Sequence, residues 1–151
     1  MHDLRRHIAL IETAQHPDVE RVREIATRYR QEMESTGWLD SRSGGLLGDP
    51  EYSGHYGSFA GECELHAYGL AQRLRTDGFA AFVADGEYVV DDPQYYDLNE
   101  RLEWETHFYV IVGRFQDPDA LVADVTADQF HPSDPQAYRV VVTTRRDPHY
   151  R

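Results

Sequence analysis

Residues 58–79 read SFAGECELHAYGLAQRLRTDGF and contain the only cysteine of the chain, Cys63. A loop of small residues leads into this cysteine, and apolar residues then recur at helical spacing, which predicts a helix over residues 62–77. Gly78 is a typical residue for ending such a helix. The sequence therefore predicts that Cys63 begins a helix. The residues expected on its buried face are Cys63, Ala67, Leu70 and Leu74.

Helical spacing also dominates the first part of the chain. Leu4, Ile8 and Ile11 are spaced to share one face of a helix. A second helix is predicted after Pro17, where the sequence is typical of a helix start. Residues 1–35 are therefore expected to be helical. The apolar stripe of the second helix comprises Val19, Val22, Ile25, Ala26, Tyr29 and Met33.

The spacing of apolar residues changes to that of strands after the Cys63 helix. Asp85-Gly86 is a strong hairpin signal, so the segment around it is expected to form two short strands joined by a turn. Helices followed by antiparallel strands predict an α+β fold, in which the Cys63 helix packs on the sheet. The strand segments are 79–90, 106–115, 120–126 and 138–145.

The length of the chain indicates one domain, residues 1–151. Within it we distinguish the helical N-terminal part, 1–35, from a candidate catalytic core, 58–145. A long connection rich in glycine and serine, residues 35–61, separates them, and such connections serve either as functional loops or as flexible linkers.

The composition excludes several classes of partner. The chain has 27 acidic and 15 basic residues, giving a net charge of −12, so nucleic acids and anionic membranes would repel it. A single cysteine cannot form an internal disulfide, which indicates a reducing compartment. Residues 1–15 lack the apolar core of a secretory signal, and no segment approaches the length of a membrane span. We therefore expect a cytoplasmic protein.

Cysteine, histidine and aspartate follow one another in an order that suits acyl transfer, which needs a nucleophile, a base and a group that orients the base. In a hairpin over residues 106–126, His107 lies opposite Asp124 or Thr126, and these two side chains share a face. We expect His107 Nδ1–H to reach the Asp124 carboxylate. At a helix N-terminus, Cys63 would be stabilised as a thiolate, and its backbone N–H is the default donor to an oxyanion.

Each of these residues also has an ordinary structural explanation. Cys63 could be a core residue, His107 a surface or core residue, and Asp124 the cap of a turn. His55, Cys63 and His66 have a spacing that resembles a metal site, but structural zinc sites usually need a second ligand pair, which is missing here. No metal and no organic cofactor is predicted.

The same residues carry a family resemblance. Gly61-x-Cys63 opening a helix that ends at DGF, followed by THFYVIV and LVADVTADQF, resembles the transglutaminase-like branch of the papain-like cysteine enzymes. The start of this helix is also similar to that of arylamine N-acetyltransferases. The resemblance implies that Cys63 is the nucleophile, His107 the general base and acid, and Asp124 its orienting partner. The supporting residues it implies are Thr126, Gln129 and Phe130.

The resemblance implies a thiol enzyme that acts on amide or related acyl groups, as a hydrolase, a protein-glutamine deamidase or a transglutaminase-like transferase. Its substrate would be a peptide, a protein or a small amine or amide. The acidic segment 91–105, with Tyr95, Tyr96 and Trp104, could cover the cleft and favour a cationic substrate, or could be a solvated loop. The alternative is a non-catalytic binding module with a vestigial triad. Nothing in the sequence predicts the oligomeric state.

Overall fold

A computed structural model describes residues 2–35, 62–95, 103–114 and 116–151. Three helices precede a four-stranded antiparallel sheet of strand order β1-β2-β3-β4, which confirms the predicted α+β class. Two short 3₁₀ helices, Ala127–Phe130 and Pro135–Tyr138, lie between the last two strands. The elements are α1 His2–Gln15, α2 Val19–Ser35, α3 Glu62–Thr76, β1 Ala81–Val90, β2 Glu103–Val112, β3 Leu121–Asp124 and β4 Val141–Thr144.

The Cys63 helix packs as its apolar spacing predicted. Cys63, Ala67, Leu70 and Leu74 are all buried. The last three meet the apolar stripe of α2 and one face of the sheet. Because side chains alternate along a strand, Val110 and the residues two positions to either side of it along β2 face these helices. Helices α2 and α3 therefore cover this face of the sheet.

Aromatic side chains cover the other face of the sheet. Tyr109 and Ile111 of β2 point to this face, and by the same alternation so does His107. The second apolar cluster forms here, around side chains from the strands, from the first 3₁₀ helix and from the end of the chain. Its largest members are Tyr88, Tyr109, Ile111, Phe130 and Tyr150.

The predicted turn at Asp85-Gly86 is wrong, because β1 continues through both residues and Gly86 pairs with His107 on β2. Residues 149–151 run along the free edge of β1, where the Glu87 N–H donates to the carbonyl of Arg151 at 2.7 Å. A Cβ atom at Gly86 would lie 2.4 Å from that same carbonyl oxygen. The glycine therefore permits a close backbone approach rather than a turn.

The apolar face expected on α1 is not buried. Leu4, Ile8 and Ile11 are exposed, whereas Ala9 and Thr13 face the interior. Helical spacing indicates that these residues share one face of the helix. It does not indicate that another element covers that face. In the described ranges, no helix combines the length and apolar character that crossing a bilayer requires.

The predicted acidic connection, residues 91–105, is shorter than expected. Trp104 already lies in β2, where the Arg151 guanidinium stacks 3.6 Å from its ring centre. Tyr95 is partly buried against Phe130. Tyr96 lies outside the described residues, as does nearly all of the long connection 35–61.

Candidate active site

Cys63 occupies the second position of α3 and is 6% exposed. Backbone N–H groups in the first turn of a helix have no acceptor within the helix, so this end carries partial positive charge. The thiol accepts a hydrogen bond from the backbone N–H of Phe108 and contacts the ring of His107. The side chain of Glu64, which follows the cysteine, is exposed.

His107 lies on β2 and is fully buried. Its Nε2 atom lies 2.7 Å from Oδ2 of Asp124. The prediction that Nδ1 would face Asp124 is therefore wrong. Nε2 is hydrogen-bonded to the carboxylate, so Nδ1 is the nitrogen that remains for the Cys63 thiol. The ring therefore presents its two nitrogens in the opposite order to the predicted one.

The strand register accounts for the contact between His107 and Asp124. Val110 pairs with Ala123, so continuing the antiparallel count places His107 across from Thr126. Asp124 is then one diagonal step away on the same face, within reach of a long or aromatic side chain. This is one of the two registers that the sequence predicted.

Four hydrogen bonds fix the Asp124 carboxylate. Oδ2 accepts from His107 at 2.7 Å and from the Tyr150 hydroxyl at 2.8 Å. Oδ1 accepts from the backbone N–H of Thr126 at 3.0 Å and from its hydroxyl at 3.3 Å. Burial alone would raise the pKa of Asp124, but the positive charge of His107 and these donors outweigh it and lower that pKa. Asp124 is thus held as an oriented anion.

The electrostatic environment of Cys63 and His107 favours separation of charge between the thiol and the imidazole. Burial raises the pKa of the Cys63 thiol, but the hydrogen bond and charge of His107, together with the Phe108 N–H, lower it overall. Burial lowers the pKa of His107, but the charge and hydrogen bond of Asp124 raise it to about 9. Both shifts favour transfer of the proton from sulfur to imidazole, which would give a thiolate–imidazolium pair.

The hydrogen bond between the thiol and the imidazole is not well aligned. His107 Nδ1 has no hydrogen-bond partner of ordinary geometry among the described residues. Catalytic hydrogen bonds are often long or bent without substrate and tighten when it binds.

Two aromatic rings hold the imidazole edge-on. The centre of Tyr88 lies 5.7 Å from that of His107, and Phe130 lies 5.0 Å away on a nearly perpendicular plane. Beside Asp124, the space between α3 and the sheet is too narrow to hold a water molecule. Because water is excluded on this side, charges within the site interact more strongly than they would in solvent.

Tyr150 is the site residue that sequence reasoning missed. It contacts Asp124 because residues 149–151 pair with the free edge of β1, a contact that no local pattern predicts. Gly86 was the available signal, but it was interpreted as a turn. Of the supporting residues that the resemblance implied, Thr126 donates to Asp124, Phe130 packs on His107, and Gln129 is buried in the 3₁₀ helix.

His66, one of the residues whose spacing resembled a metal site, has another partner. His66 is buried between α2 and α3, and its Nδ1 lies 3.0 Å from the Tyr29 hydroxyl. His55 lies outside the described residues.

Comparisons with known proteins identified no relative of this chain. A scan against protein-family models, a search of curated proteins and a search of solved structures found no match to this chain. The functional argument therefore rests on the residues and geometry of this chain.

Proposed function

We propose that the protein is a small cysteine-dependent acyl-transfer enzyme of the transglutaminase-like kind, acting on an amide or related acyl group. The arrangement of His107, between the Cys63 thiol and the Asp124 carboxylate, carries this proposal. The thiol pKa is lowered and the imidazole pKa raised, as a nucleophile and its base require. The four hydrogen bonds on Asp124 supply the third element, an oriented partner for the imidazole.

In the first step, the Cys63 thiolate attacks the carbonyl carbon of the substrate. The tetrahedral oxyanion is stabilised by N–H groups at the start of α3, with that of Cys63 as the default donor. The bond from carbon to the leaving amine then breaks while the imidazolium of His107 delivers its proton to that amine. A thioester on Cys63 and neutral His107 result.

In the second step, neutral His107 takes a proton from the acyl acceptor, which attacks the thioester and restores the thiol. Water as acceptor gives a hydrolase or a deamidase, and an amine gives a transferase. We propose a peptide, protein or small amine or amide as substrate, with a cationic group favoured by the net charge of −12. A nucleophilic thiol has to remain reduced, which fits a cytoplasmic location.

A second candidate is a binding module on the same fold with an inactive triad. The low exposure of Cys63 and the poorly aligned Nδ1 of His107 favour it. The two candidates differ in turnover, which only the enzyme supports.

Acylation followed by intact mass separates them. The chain contains no lysine, so acyl transfer from 4-nitrophenyl acetate to side-chain amines cannot obscure transfer to the thiol. We expect one acetyl group on the wild type, none on Cys63→Ser, and continued release of nitrophenol. Acid–base catalysis is worth about 10²–10⁴-fold, so His107→Ala should be slower by at least about 100-fold. Equal rates for wild type and His107→Ala, or acylation without turnover, would overturn the proposal in favour of the module.

A further inference from the structure

Two histidines of a second polar cluster contact the ring of Tyr88, which also packs against His107. Asp91 follows β1, His131 follows the first 3₁₀ helix, and His149 lies in the segment paired to the edge of β1. Each offers one ligand atom, and these atoms all lie within 4.8 Å of one another. Residues far apart in sequence thus present a carboxylate and two imidazoles to one point.

The orientation of His149 is fixed by a second carboxylate. Its Nδ1 lies 3.2 Å from Oδ1 of Asp147, and the same oxygen accepts from the His149 backbone N–H at 2.9 Å. Nε2–H of the same ring donates to Oδ2 of Asp91 at 3.0 Å, and a metal ion would take the place of this proton. A carboxylate behind a histidine that offers its other nitrogen is the usual arrangement of metal-binding histidines.

His131 is equally constrained. Its ring stacks on Tyr138 with 3.4 Å between ring centres, and its Nε2 hydrogen-bonds the Tyr88 hydroxyl. Like His149 it is buried. Both imidazoles are therefore held in place before any ligand arrives, which lowers the entropic cost of binding one.

A cation already lies against two of these ligand atoms. Nη2 of Arg6 lies 3.0 Å from Oδ2 of Asp91 and 3.1 Å from Nε2 of His149. Arg6 donates to the carboxylate of Asp91 and lies beside the imidazole of His149. The side chains of Arg6 and Asp91 are 38% and 33% exposed, so the guanidinium can turn into solvent and an ion can enter from the same side.

We propose that Asp91, His131 and His149 form a binding site for a divalent transition-metal ion of the Zn²⁺ class, and that the Arg6 guanidinium fills the cation position in the metal-free protein. Two imidazoles and one carboxylate suit Zn²⁺ better than Mg²⁺ or Ca²⁺, which prefer oxygen ligands. Three protein ligands leave the fourth position of a tetrahedron for water or another ligand. This inference is independent of the proposed acyl-transfer chemistry.

Titration with Zn²⁺ by calorimetry and with Co²⁺ by visible absorption tests the site on the whole chain. We expect one ion per wild-type molecule, and no tight binding to His149→Ala or to Asp91→Asn. Asp91→Asn keeps the side-chain shape at a partly exposed position, so it separates loss of a ligand from loss of fold. Arg6→Ala should bind several-fold more tightly, because the competing guanidinium is gone.

Two variants control for other ligands. His7→Ala removes an exposed histidine of α1, and Cys63→Ser removes the thiol; both should bind as the wild type does. Loss of binding in Cys63→Ser would place the ion at the thiol instead and overturn the proposal. Absence of binding to the wild type, or an affinity unchanged in Asp91→Asn, would also overturn it. Unchanged or weaker binding to Arg6→Ala would refute competition by Arg6.

Discussion

Replacing Tyr150 by phenylalanine removes one hydroxyl and leaves a ring of almost the same shape. The ring would keep its packing on Tyr88 and Tyr109, while Asp124 would lose one of its four hydrogen bonds. A hydrogen bond to a charged group contributes about 1.5–3 kcal/mol to stability. We therefore expect the free energy of unfolding of Tyr150→Phe to fall by about that amount at neutral pH.

The deficit should depend on pH with a definite sign. The pKa of Asp124 is lowered in the folded protein, and the Tyr150 hydroxyl is one of the causes. The stability that goes with a depressed carboxyl pKa is present above the unfolded value of about 3.9. It is lost as the pH falls through the folded value. Removing the hydroxyl raises the folded pKa, so the deficit is largest at neutral pH and shrinks in acid.

Urea denaturation of wild type and Tyr150→Phe, from about pH 7 to about pH 3, measures both quantities. Tyr68→Phe is the matched control, because Tyr68 is 54% exposed, and its stability should stay within about 0.5 kcal/mol of wild type. A deficit for Tyr150→Phe as small as that of the control, or one that grows as the pH falls, would refute the role given to Tyr150.

Three further predictions follow from the geometry. Gly86→Ala would place a Cβ atom 2.4 Å from the carbonyl oxygen of Arg151, so amide exchange along the free edge of β1 should accelerate; unchanged protection there would contradict the close approach. Arg30→Ala leaves the fully buried Asp128 carboxylate without its bidentate partner and should cost about 3–5 kcal/mol in urea denaturation, whereas the double variant Arg30→Ala/Asp128→Ala should recover part of this. The pKa of His107 is raised to about 9, so acylation by an amide substrate should fall above that pH as the imidazolium loses its proton, and a rate still rising well beyond it would contradict the proton delivery.

The parts of this molecule that were predictable from sequence depend on local signals. The Cys63 helix is defined by its own apolar spacing and by Gly78, and its buried face is the predicted one. The contact of His107 with Asp124 follows from two consecutive strands, whose register allows few choices. Both features are set within short stretches of chain.

The features that escaped prediction depend on contacts between distant segments. Tyr150 reaches the site only because the end of the chain pairs with β1, and the same pairing explains why Gly86 is not in a turn. Which nitrogen of His107 faces Asp124 depends on where Cys63 lies relative to the sheet. The cluster of Asp91, His131 and His149 likewise draws on three separate segments, so no spacing in the sequence could indicate it.

The central claim is that Cys63 is a thiolate paired with the imidazolium of His107. The rate of Cys63 alkylation by iodoacetamide, followed by intact mass across pH, tests it most directly, because the chain has one cysteine. We predict a thiol pKa below the ordinary value of about 8.5 in the wild type, moving back toward it in His107→Ala. A thiol that titrates normally in the wild type, or one indifferent to the loss of His107, would contradict the account and make Cys63 a core residue.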